Sequence, residues 1–160
     1  MQFKPITVIA VLLLLVASLS ACGCTSQQQT TQTVGNATEV ITTNKEDLVT
    51  VNPVTLETTA SPTPKPGFKF VGYNATVKNV GNKTRVIGYN DWTLRDTEGG
   101  VYRPEFSAGG LLGGREQFNG ASSFEPGDLT KGIVVFQVPQ NATLKSLTFG
   151  YGDTKQVFTL

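Results

Sequence analysis

Residues 68–80 read FKFVGYNATVKNV. Val71, Tyr73, Ala75 and Val77 alternate with Gly72, Asn74, Thr76 and Lys78. A period of two belongs to an extended chain with one face against a core and the other in water. Helical spacing, with apolar residues three and four apart, does not develop from Asp47 to the C-terminus, so the body of the chain is expected to be built from strands.

Working outward, residues 48–58 form another candidate strand, in which Pro53 marks a sheet edge or a bulge. Residues 59–67, with Pro62, Pro64 and Pro66, connect the two. Downstream, a turn at 81–84 leads into a strand over 86–94 that carries the only tryptophan, Trp92. Asp96-Thr97-Glu98-Gly99-Gly100 is a hairpin turn into residues 101–103. Residues 105–123 are glycine-rich and break the pattern. Pro126-Gly127-Asp128 then opens KGIVVFQVP, apolar on both faces at Ile133, Val134, Val135 and Phe136, which suggests a central strand. Residues 144–151 and 156–160 supply the last two strands. About seven strands over residues 47–160 suit an all-β, immunoglobulin-like β-sandwich with Trp92 between the sheets; a small open barrel is the alternative.

The N-terminus has another texture. Lys4 is followed by an apolar run over residues 6–17 and then Ser18-Leu19-Ser20-Ala21. This is the layout of a secretory signal peptide over residues 1–21, shorter than the roughly 20 apolar residues of a membrane span. Leu19-Ser20-Ala21-Cys22 resembles the lipobox of secreted lipoproteins, which implies cleavage before Cys22 and a lipid on its sulfur. Cys24, the only other cysteine, is separated from Cys22 by a single glycine, too near for an ordinary disulfide. Residues 22–46 continue as a threonine- and glutamine-rich tract without an aromatic, expected to be a disordered, lipid-anchored stalk.

Three blocks, PGFKFVGYNATVKNVGNKT, DWTLRDTEGGVYRP and EPGDLTKGIVVFQVP, together resemble a domain-of-unknown-function family, telokin-like and immunoglobulin-like in fold, found mainly in bacterial and archaeal lipoproteins. The resemblance runs from about Asp47 to the C-terminus. It rests on Asn79 and Gly81, on Leu94, Asp96, Gly99 and Tyr102, and on Pro126, Gly127, Phe136, Val138 and Pro139. It implies structural roles for these residues and transfers no catalytic one.

Composition narrows the function. The chain has no histidine, which removes the commonest general base and zinc ligand. After loss of Lys4 with the signal, 12 basic and 12 acidic side chains remain, so nucleic acid is not an expected partner. Asp91, Asp96 and Glu98 could be read as calcium ligands, but hairpin chemistry accounts for them, and no metal or cofactor is expected. Sequons stand at Asn36, Asn74, Asn82 and Asn141. In a cell with an oligosaccharyltransferase at least two should carry sugar; otherwise they are solvent-facing asparagines.

In the glycine-rich section, Leu111, Leu112 and Phe118, with Arg115 among them, either cover an open sheet edge or anchor a partner. The expected function is that of a cell-surface lipoprotein, held to the extracytoplasmic face of the membrane by its lipid. Its β-sandwich would act without catalysis by binding or structural association, the partner being an envelope protein or a glycan. The alternatives are a carrier of a small apolar ligand and an envelope hydrolase.

Overall fold

A computed structural model describes residues 28–34, 37–43, 46–150 and 155–160. The expected signal segment, Cys22, Cys24 and Asn36 lie outside the described residues. Eleven strands occur among those described: β1 (Gln28–Val34), β2 (Ala37–Thr43), β3 (Asp47–Val54), β4 (Phe68–Asn79), β5 (Arg85–Gly88), β6 (Trp92–Asp96), β7 (Val101–Tyr102), β8 (Gly120–Phe124), β9 (Leu129–Pro139), β10 (Leu144–Phe149) and β11 (Gln156–Thr159). One antiparallel sheet runs β1-β2-β3-β4-β9 and a second runs β11-β10-β6-β7, while β5 and β8 pair as a short ribbon. The fold is an all-β sandwich.

The alternation in β4 does what its period requires. Tyr73, Ala75 and Val77 are buried, and Val71 packs against the same cluster. They meet Val49 and Val51 of β3, Val134, Phe136 and Val138 of β9, and, from the facing sheet, Trp92, Leu94, Leu147, Phe149 and Phe158. Trp92 is fully buried and stands edge-on to Phe118, with ring centroids 5.5 Å apart, and tilted against Phe149 at 4.7 Å. Aromatic pairs of this kind favour edge and offset geometries over face-to-face stacking. Burial pushes the Tyr73 hydroxyl up to about 12.

Four expectations are corrected. First, the strand anticipated over 86–94 is broken: a 3-10 turn at Tyr89–Asp91 carries the chain from β5 into β6 of the second sheet. The Asp91 carboxylate accepts from the Gly88 N–H at 2.7 Å and fixes that turn. Second, β9 is not central. It is the last strand of its sheet, and it is apolar on both faces because a non-strand segment covers its outer side, where Ile133 and Val135 pack with Ala108, Leu111 and Leu112. Third, the outer face of β4 is wet only in part, since Phe70 joins that same second cluster.

Fourth, the disordered stalk over 22–46 gives way to structure in its described part. β1 and β2 form a hairpin, and β2 extends the sheet by pairing Val40–Thr43 with Leu48–Val51 of β3. Threonine is β-branched and suits an extended backbone. Adding strands to a sheet edge satisfies backbone N–H and C=O groups without needing an apolar face. Pro53 lies beyond the stretch of β3 that β2 covers, where only β4 is its neighbour, so its missing N–H is not needed.

Candidate functional site

The glycine-rich section folds as a cover. A 3-10 helix, Phe106–Leu112, lies over the outer face of β9, and the chain on either side of it runs along the strand edge. The Glu105 N–H donates to the Val135 carbonyl at 2.7 Å, Phe118 N–H to the Ile133 carbonyl at 3.0 Å, and Ile133 N–H to the Glu116 carbonyl at 2.9 Å. These bonds use backbone groups that a bare edge would leave open to another strand. Close approach is possible because residue 132 is glycine: a Cβ there would stand 2.5 Å from the Phe118 nitrogen and 2.6 Å from the Gln117 carbonyl carbon.

Arg115 pins the cover. Its Nε donates to the Leu112 carbonyl and its Nη2 to the Thr55 carbonyl, each at 2.7 Å, and Glu57 N–H donates to the Leu111 carbonyl at 3.0 Å. Leu111, Leu112 and Phe118 are buried, with at most 3% of their surface exposed. They face the interior of their own domain, Leu111 and Leu112 against β9 and Phe118 against Trp92, which fits the first of the two readings of this section, a cover. Gln117 completes the seam by donating from Nε2 to the Tyr89 hydroxyl at 3.1 Å and to the Phe106 carbonyl at 3.0 Å. Burial raises the Tyr89 hydroxyl above the ordinary tyrosine range.

Two of the three carboxylates considered for metal, Asp91 and Asp96, are bonded within turns. Asp96 accepts from the N–H groups of Glu98 at 3.0 Å and Gly100 at 2.6 Å, and from the Tyr102 hydroxyl. The Tyr102 bond, helped by those N–H groups, lowers the Asp96 carboxyl below its usual range, and the same bond pushes the Tyr102 hydroxyl up to about 12. Asp91 holds the turn before β6, as above. Among the described residues no group of three or more histidine, cysteine, aspartate or glutamate residues is placed to hold a metal ion.

Two polar clusters knit the opposite corner of the sandwich. Asn79 is fully buried: its Nδ2 donates to the carbonyls of Phe124 at 2.8 Å and Lys83 at 2.9 Å, and its Oδ1 accepts from Gly81 N–H at 3.0 Å. Asp47, almost wholly buried, takes both ends of the Arg85 guanidinium, which also reaches the Glu46 carbonyl at 3.3 Å. The Asn79–Gly81 pair was visible in the sequence blocks. The Asp47–Arg85 pair was missed, because 38 residues separate the partners and no local pattern links them.

Three sequon asparagines are described and all are exposed: Asn74 on the outer face of β4, Asn82 in the turn after β4 and Asn141 in the turn after β9. Among the described residues, concavities open on the outer side of the first sheet. One, of about 450 Å³, is lined by Asn74, Arg115, Glu116 and Lys131 with Val54 and Ile133. Another, of about 170 Å³, lies among Leu56, Pro62, Pro64, Phe68, Phe70 and Leu111.

Three solved structures of low sequence identity are similar to this chain. MPT63, a secreted protein from Mycobacterium tuberculosis, is 17% identical over 84% of this chain and 92% of its own, with a TM-score of 0.48. The yjhA protein of Bacillus subtilis is 16% identical over 82% of this chain and 96% of its own, at 0.46. The ycdA protein of Bacillus subtilis, named as a candidate lipoprotein, is 18% identical over 73% of this chain, with a TM-score of 0.51, and supports the fold; this chain spans 37% of its length. No curated protein matches the sequence. The family model of a domain of unknown function, DUF4352, matches residues 37–156, from the first residue of β2 into β11, and the chain belongs to that family.

Proposed function

We propose that this protein is a lipoprotein of the outer face of the cell membrane, anchored through Cys22, whose sandwich serves by binding or structural association and not by catalysis. The observation that carries the reading is Leu19-Ser20-Ala21-Cys22 at the end of a short apolar run. One acyl chain holds a protein only marginally at a bilayer, so the anchor would carry more than one. The site chemistry supports the non-catalytic part: with no histidine in the chain, chemistry would fall to carboxylates and tyrosines, and Asp91, Asp96 and Tyr102 are spent on turns. The partner is an envelope protein or a glycan.

The test is fractionation. The wild-type protein should stay with membranes until detergent is added, and Cys22→Ser should appear in the soluble fraction or accumulate unprocessed. Equal membrane retention of the two, with Cys22→Ser processed like the wild type, would overturn the reading. The apolar cleft of about 170 Å³ favours one alternative, a carrier of a small apolar ligand. That reading expects a solvatochromic apolar dye to bind saturably and Leu56→Glu to abolish the binding.

A further inference from the structure

The register of the first sheet says which end of the sandwich the anchor reaches. Gln28, where β1 starts, lies opposite Thr43; Thr43 lies opposite Leu48, Leu48 opposite Lys78, and Lys78 opposite Leu129. All five residues therefore sit at one end of the sheet, together with the turn that carries Asn82. At the other end, Phe68 lies opposite Pro139, beside the turn that carries Asn141. The two ends are about 35 Å apart at the usual rise of an antiparallel strand. From Cys22 to Gln28 there are six peptide steps, which span at most about 20 Å. A lipid on Cys22 therefore cannot let the Asn141 end lead.

The tethered end is also suited to a headgroup layer. Val80 and Leu129 are 45% and 58% exposed, on neighbouring stretches joined by the Asn79 N–H donating to the Asp128 carbonyl at 2.9 Å. The carboxylates nearby are engaged: Asp47 with Arg85, Glu125 with the hydroxyls of Thr84 and Ser123, and Asp128 with the Glu125 N–H. Lys78, opposite Leu129 in register, and Lys83, three residues after Val80, are both exposed. Apolar side chains flanked by lysines match the boundary between acyl chains and lipid phosphates.

We infer that the sandwich stands on the bilayer by this end, with Val80 and Leu129 entering the headgroup layer between Lys78 and Lys83, and that it presents the Asn141 end outward. The inference rests on the lipid anchor at Cys22. It implies that a sugar on Asn82 would lie at the membrane and one on Asn141 would point away from it.

The experiment reconstitutes the mature, lipidated chain in vesicles of phosphatidylcholine and phosphatidylglycerol that contain a nitroxide on the lipid headgroup. In a Cys24→Ser background, a fluorophore is placed at Asn82→Cys in one sample and at Asn141→Cys in another. Quenching should be several-fold stronger at 82 than at 141; equal or reversed quenching would overturn the orientation. Val80→Asp with Leu129→Asp should bring quenching at 82 down towards that at 141 while the protein still floats with the vesicles. Because both side chains are exposed, the melting temperature should hold. Unchanged quenching at 82 would overturn the contact. If the parent protein does not float at all, the anchor itself is refuted and the orientation falls with it, an outcome the flotation step reads separately from the fluorescence.

Discussion

Asn79 shows how much one buried amide holds in this domain. It joins the end of β4, the turn after it and the end of β8, and no other side chain of its size offers two donors and an acceptor at that point. Asn79→Ala should cost about 2–3 kcal/mol in urea unfolding, because it leaves buried carbonyls without donors; a loss under 0.5 kcal/mol would show that water replaces the amide. Asp96 and Tyr102 make a pH-dependent pair. The Asp96 carboxyl is depressed in the fold, so its contribution is present above the ordinary carboxylate pKa and is lost as pH falls through the folded value. Tyr102 is raised to about 12, so its contribution is present below the ordinary tyrosine pKa and is lost as pH rises through about 12. Tyr102→Phe should flatten both limbs of a plot of urea midpoint against pH and leave the middle shape unchanged. Asp96 and Gly99 were legible in the sequence as a hairpin, because Asp and a positive-φ glycine are what such a turn demands; Gly99 has φ 93°.

Among elements, β4 was readable and β9 only half so, for one physical reason. A strand with one wet face leaves a period of two in its sequence, as Val71 to Val77 do. The run from Ile133 to Phe136 records only that both faces are covered, and a second sheet layer and a folded-back segment leave the same trace. The cover itself was legible as a break in pattern and not as a 3-10 helix, because its apolar positions Ala108, Leu111 and Leu112 serve contacts far away in sequence. The β1–β2 hairpin was not legible at all, since strands added at a sheet edge need no apolar alternation. Two substitutions test the cover. Leu111→Ala should cost about 2–5 kcal/mol, the range for buried leucine. Gly132→Ala should push the Gln117–Phe118 backbone off β9, which hydrogen exchange would report as lost protection at Phe118 and Ile133 N–H. Protection equal to that of the wild type would mean that the cover does not depend on this close approach.

For the whole molecule, the distance from lipid to fold is what matters. A stalk extending to Glu46 would let an anchored sandwich swing freely above the membrane, whereas the proposed anchor at Cys22, on a chain that enters β1 at Gln28, would keep it within about 20 Å and give it a lower and an upper end. The charged and polar groups at the Asn82 end serve mainly to join strands, while the opposite end carries the Asp96 hairpin and the Asn141 turn. Among the described residues no group of carboxylates is placed to hold a metal ion, so chelator should leave the melting temperature unchanged within error, and a drop of several degrees reversed by calcium would contradict that. Everything said of the two ends depends on the chain being anchored at Cys22. The direct measurement is the intact mass, with fragmentation of the N-terminal peptide, of protein extracted from its own membrane by detergent. The account predicts a chain that starts at Cys22 and carries lipid there; an unmodified N-terminus at Gly23 or beyond, or a chain that keeps residues 1–21, would contradict it.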